Sequence, residues 1–236
     1  MNQFRIKAIN IEKEIKCIES FPDEHYIKIV HEAGFECDCC GKCCTSEFND
    51  HVFLLDDDAA GIIGTPGRDF IRPAPYFDVC DNLGRFYVMG YALKTKPNGD
   101  CIFYIGGRCQ HYEIRPLICR IFPYMLHREP DEDGNIEFRQ IGGLDLHGSY
   151  HNESSAEEYK EKLDNVKKYE TGFLRQKLEF IQAIEKYFKE NNLRNSQQMF
   201  DRMMRQYQKG TEVEVYVFFR GRFEKEVISK QIINPE

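Results

Sequence analysis

Apolar and polar residues recur with a helical step over residues 4–19 and 23–33, which predicts two short amphipathic helices. The second opens at Asp23, carries Tyr26, Ile27, Ile29 and Val30 on its apolar side and closes at Gly34. Shorter units follow. Residues 51–55 read as a small apolar strand, and Asp56 caps a brief helix toward Ile63 that Gly64-Thr65-Pro66-Gly67 stops. Segments 76–80, 85–93 and 101–105 are rich in Tyr, Phe, Val and Ile. The turn-forming runs Asp81-Asn82-Leu83-Gly84 and Pro97-Asn98-Gly99-Asp100 separate them, so they predict an antiparallel meander. Residues 135–141 add a strand after a turn at 131–134.

Beyond Tyr150 Gly and Pro nearly vanish, and Tyr159, Leu163, Val166, Tyr169 and Phe173 recur at steps of three and four. A second stripe, Leu174, Leu178, Ile181, Ile184 and Phe188, begins one position later, so the face shifts near Thr171-Gly172 by a helix break or a local change of twist, with Gly172 as the expected hinge. Both stripes read as core packing rather than as a partner groove. Ser196 caps a third helical stretch to about Gln208, and Val213, Val215, Val217 and Phe219 alternate as a strand that folds back on 223–229 through Arg220-Gly221-Arg222.

The 236 residues suffice for a hydrophobic core without staples, and no window approaches the roughly 18 apolar residues of a spanning helix. The first ten residues lack the apolar stretch of a secretory leader, so the expected location is the cytoplasm, with no membrane partner. Residues 1–159 carry 16 Lys and Arg against 27 Asp and Glu, whereas residues 160–210 carry 12 against 7. The basic stretch alternates its charges at helical spacing, the mark of a solvated face, and no nucleic-acid partner is expected. No G-x-G-x-x-G, Walker-A or H-E-x-x-H pattern supports nucleotide-driven or zincin chemistry.

Ten cysteines change the picture, five of them between Cys37 and Cys44. In a reducing compartment thiols stay free, so metal ligation is the leading reading. Cys37-x2-Cys40-x2-Cys43 with adjacent Cys44 has the local spacing that gathers thiolates in one loop, and Gly41 suits the positive φ such a turn needs. Cys101-x7-Cys109-x9-Cys119 forms a second group able to close the coordination sphere once the chain folds back. Lys42, Arg108, Arg115 and Arg120 stand beside these thiols and would offset thiolate charge. Seven cysteines exceed one four-ligand site, leaving two centres, a bridged multinuclear centre or spare thiols open. The triplet is ferredoxin-like, although no Pro follows Cys119, and zinc could use the same sulfurs.

The string Phe35-x-Cys37-x2-Cys40-Gly41-x-Cys43-Cys44, then Cys101-x-Phe103, then Arg108-Cys109-x2-Tyr112-Glu113-x-Arg115-Pro116-x2-Cys119-Arg120-x-Phe122-Pro123, resembles the YkgJ-type CxxCxxCC family of zinc- or iron-chelating proteins. The resemblance covers roughly residues 21–145 and implies a shared metal-binding role for Cys37, Cys40, Cys43, Cys44, Cys101, Cys109 and Cys119. Flagellin lysine N-methylases resemble the same cysteine-cluster module. Cys17, Cys39 and Cys80 fall outside the pattern, and Ile141-Gly142-Gly143 stands where many relatives carry Cys-Pro-Gly.

Cys17 and Cys80 read as small core residues and Cys39 as undecided. His31, His51 and His111 read as surface or hydrogen-bonding histidines. Pro116 opens a helical turn, with Arg115 balancing thiolate charge, and Asp56, Asp57 and Asp58 enrich a helix N-terminus in acid. The fold expected is α+β: a small antiparallel sheet and short helices around a cysteine-lined metal centre at 1–150, then a helical extension with a terminal hairpin at 151–236. Its expected cofactor is an iron–sulfur cluster, 4Fe–4S in type, or zinc. Three functions stay open. They are a protein holding such a centre, a cluster-dependent methylase-like enzyme acting on a peptide or protein substrate, and a zinc or iron chelation and delivery protein.

Overall fold

A computed structural model describes residues 3–48, 50–130, 136–140 and 147–230, and the fold is α+β. Its helices are α1 (Gln3–Glu19), α2 (Asp23–Ala33), α3 (Asp56–Gly64), α4 (Leu117–Arg120), α5 (Ala156–Glu190) and α6 (Gln197–Gln208). Strands β1 (Ile71–Pro73) and β4 (Tyr91–Leu93) pair with each other, as do β5 (Tyr104–Ile105) and β6 (Arg108–Cys109), and β7 (Tyr124–Pro130) and β8 (Ile136–Gln140). The largest sheet has the order β10 (Arg222–Ile228), β9 (Val213–Phe219), β3 (Phe86–Val88), β2 (Val79–Cys80).

In that sheet β9 runs antiparallel to β10 and parallel to β3, with Tyr87 opposite Tyr216. The pleat sends alternate residues to opposite faces, which divides the core in two. Val213, Val215, Val217 and Phe219 face Phe86, Val88, Tyr91 and Leu93, and this cluster reaches Cys101 and Phe103. Tyr87 and Phe218 face the other way, onto α5, where Phe180 lies 6.0 Å from Phe218 and Phe188 lies 5.1 Å from Tyr87.

The two N-terminal helices, the cap at Ser196 and the terminal hairpin follow their sequence signals. Gly34 closes α2 at φ 48°, and the Ser196 hydroxyl accepts from Met199 N–H. The expected break at Gly172 is absent, because α5 runs unbroken through it for 35 residues. A β-carbon at Gly172 would lie 3.1 Å from Leu55, so the glycine admits a close neighbour, and the two stripes mark a change of packing partner. Tyr159 meets His31 of α2, whereas Phe188 meets the sheet.

The meander holds for its first hairpin, where β2 pairs antiparallel with β3, and is corrected beyond it. Segment 85–93 divides at Gly90 into β3 and β4, which join different sheets, and 101–105 pairs with β6. Gln176 sits at the division: its side-chain N–H donates to Met89 O at 3.0 Å while its oxygen accepts from Asp56 N–H at 3.0 Å. A β-carbon at Gly90 would lie 2.8 Å from that amide nitrogen. Residues 51–55 add one bridge, Phe53 to Ala92, rather than a full strand. Strand β8 realises the expectation for 135–141, whereas the turn at 131–134 and Ile141-Gly142-Gly143 lie outside the described residues.

Candidate metal centre

A loop with repeated left-handed positions carries the first cysteine group. After Gly34, Glu36 bridges to Ser149, and Cys39 and Gly41 take φ values of 58° and 75°. A β-carbon at Gly41 would lie 2.0 Å from the Tyr104 ring, so glycine is required there twice over. One 3-10 turn, Lys42–Cys44, follows, with Cys44 N–H donating to Gly41 O at 2.9 Å.

The second group meets the first through the backbone: Cys101 N–H donates to Cys44 O at 2.8 Å. Cys109 sits on β6 opposite Tyr104, beyond a Gly106-Gly107 turn with φ values of 61° and 82°. Cys119 rides on α4, which Pro116 opens as expected. The Asp58 carboxylate accepts Leu117 N–H through both oxygens at 3.2 Å, so the start of α3 anchors the turn that carries Cys119. Burial raises the Asp58 pKa.

All seven predicted ligands, and Cys39 with them, line one cavity of about 930 Å³. Cys43, Cys44, Cys101, Cys109 and Cys119 are close enough to act on one another's charge. Cys37 acts on Cys109 and Cys39, and the Tyr112 hydroxyl hydrogen-bonds both Cys37 and Cys39. Cys40 stands in a different setting, with its thiol on Asp38 and the amides of Lys42 and Gly148 donating to its sulfur.

Adjacent Cys43 and Cys44 divide a proton unequally. The Cys44 thiol donates to Cys43, which with the Arg115 charge brings Cys43 down to about 7, and the same bond together with burial pushes Cys44 up. Burial comes first in raising Cys101, Cys109 and Cys119, followed by neighbouring sulfurs for Cys101 and Cys119. Arg115 lies 3.8 Å over the Tyr112 ring, and its charge lowers Cys39, Cys43, Cys109 and Cys119.

Among the described residues no three His, Cys, Asp or Glu side chains already converge as a coordination set. The thiols ring the cavity wall, and their donor chemistry suits a soft or borderline metal, since sulfur crowded on sulfur gains most from a cation among them. The family model CxxCxxCC, described as "Putative zinc- or iron-chelating domain", matches residues 36–141, just under half of the chain. Over residues 36–141 the chain is similar to that CxxCxxCC domain. No curated protein and no solved structure matches the chain. No helix among the described residues is long and apolar enough to cross a membrane.

Within and around the CxxCxxCC domain the remaining candidates take ordinary places. His111 packs 4.5 Å from Phe103, His31 packs on Tyr159, and His51 bonds Asp50 at 3.0 Å. Cys80 is wholly buried on β2, whereas Cys17 lies exposed on α1, which corrects the expectation of a core position for it. Sequence reasoning passed over His147. This imidazole is 7% exposed on the cavity wall, and neither ring nitrogen has a hydrogen-bond partner among the described residues.

Proposed function

We propose that the CxxCxxCC domain holds an iron–sulfur centre on thiolates from both cysteine groups. The observation that carries this reading is that five sulfurs, Cys43, Cys44, Cys101, Cys109 and Cys119, line one cavity, each close enough to at least three of the others to act on their charge, with Cys44 and Cys109 linked through those three. One tetrahedral zinc uses four ligands, so the set exceeds a mononuclear site before Cys37 and Cys40 are added. The spacing Cys37-x2-Cys40-x2-Cys43 supports iron, and Arg115 supplies the positive charge that a multi-thiolate centre needs nearby. When bound, such a centre supplies electron transfer or a Lewis-acidic iron. Anaerobic purification with iron and sulfide analysis and a Mössbauer spectrum tests the reading. Iron and sulfide in stoichiometric amounts support it, and colourless zinc-loaded protein free of iron overturns it.

A second reading, an enzyme acting on a peptide or protein, draws on the cavity itself. At about 930 Å³ it falls in the range of ligand pockets and extends past the thiols along Phe53, Tyr169 and Phe173 to Glu158 and Glu161. Incubating iron-loaded protein with methyl donors and candidate peptides tests it by mass spectrometry, and an unchanged peptide mass counts against it.

A further inference from the structure

We propose that a ring nitrogen of His147 binds the thiolate-held metal alongside Cys40, giving the centre a mixed sulfur and nitrogen donor set. This rests on the metal-binding reading of the cavity and extends it to a residue outside the cysteine pattern.

The imidazole is more than nine-tenths buried, and both nitrogens lie out of contact with solvent and without a hydrogen-bond partner among the described residues. A neutral imidazole carries one donor and one acceptor, and a protonated one carries two donors, so either form buries polar capacity that water would otherwise satisfy. Aromatic rings hold it on two sides, Phe48 at 5.1 Å and Phe122 at 5.2 Å between centroids. These contacts fix the ring on the wall of the cavity that the thiols line.

The backbone brings the segment that carries it to the cysteine loop, and His147 and Cys40 line the same cavity. Glu36 and Ser149 exchange two amide hydrogen bonds, at 2.8 and 2.9 Å, which clamps 147–149 against the cysteine loop. Gly148 makes the approach sterically feasible: its φ is 76°, and a β-carbon would fall 2.3 Å from the Phe35 ring. Gly148, the immediate neighbour of His147, lies close enough to Cys40 and Asp38 to act on both. Cys40 is also the family-pattern thiol in a separate setting from the five-sulfur group. Imidazole beside thiolate is the donor pair that zinc and ferrous iron accept, and a metal bond would satisfy the buried nitrogen.

X-ray absorption on the full-length protein tests this, at the edge of the metal it holds after anaerobic purification and again after reloading with zinc(II). The expected wild-type spectrum has a sulfur shell plus a nitrogen shell at about 2.0–2.1 Å with imidazole outer scattering. His147→Ala and His147→Gln should lose that imidazole signal and weaken zinc binding by roughly tenfold or more in chelator competition. A sulfur-only shell in wild type, or an imidazole signal that survives both substitutions, overturns the assignment of His147 while leaving the thiolate centre standing. A chain that takes up neither iron nor zinc overturns both. The element at the edge decides separately between iron and zinc.

Discussion

Replacing Gly41 with alanine tests whether the cysteine loop is built as described. The backbone there has φ 75°, and an L-residue in that region costs roughly 1–2 kcal/mol. The new β-carbon would stand 2.0 Å from Cε2 of Tyr104, whose carbonyl also accepts from Lys96 Nζ, so the ring must move. Overpacking of this kind costs about 1–3 kcal/mol. The sum, about 2–5 kcal/mol, corresponds to a fall in Tm of roughly 4–20 °C for a chain of this length. Gly107 supplies the control, because it has φ 82° and nothing within 4 Å of its β-carbon position. Gly107→Ala should therefore carry the backbone penalty alone. Thermal unfolding of both variants under anaerobic conditions, with metal content measured alongside, separates the two causes. Gly41→Ala should melt lower than Gly107→Ala and hold less metal, since its turn delivers Cys43 and Cys44. If the two variants melt together, the close seating of Tyr104 on the loop is refuted.

Cys80→Ala should keep full metal content, because its sulfur is buried in the sheet core and donates to Asp81 O, whereas Cys101→Ser should lose metal; elemental analysis after anaerobic purification compares them. Asp58 has a folded pKa raised by burial, so its favourable contribution is complete below the unfolded value and is lost as pH rises through the folded one. Wild type should accordingly gain stability relative to Asp58→Asn as pH falls from 7 toward 4, and denaturant midpoints that track together across that range would contradict this. Gln176→Ala strips partners from Asp56 N–H and Met89 O and should destabilise the chain by about 1–3 kcal/mol in urea unfolding; an unchanged midpoint would mean water replaces both bonds.

Signals confined to a few residues were legible in the sequence. Gly34, Ser196 and the alternation of Val213 to Phe219 each encode a local geometry, and each folds as read. The spacing within each cysteine group is local too, and both groups line one cavity. What failed depended on remote partners. Segment 85–93 is a near-continuous apolar run, and nothing within it reveals that Gln176 will bond Met89 O and turn β4 onto β1. Gly172 reads as a break on propensity alone, but Leu55 packs into the space it leaves, and tertiary contact overrides the roughly 1 kcal/mol that glycine costs. The parallel pairing of β3 with β9 joins segments with no shared pattern.

The same remoteness explains why His147 escaped notice and why the centre bears on folding as well as chemistry. Cys101 is buried in the sheet-facing core, and Cys44, Cys109 and Cys119 pack against it, so the sulfurs are the margin of a hydrophobic cluster rather than an appendage. Three connections converge there: Cys101 N–H on Cys44 O, the Asp58 carboxylate on Leu117 N–H, and the Glu36 bridge to Ser149. Each ties a donor-bearing segment to a different part of the chain. A metal bound to sulfurs from these segments links them again, and its binding free energy adds to the stability of the fold in proportion to how poorly the unfolded chain can assemble the same ligands. The strands around these cysteines are only two or three residues long, so little regular structure holds the segments together there, and a metal bound among the sulfurs would add the cross-links that the short ladders lack.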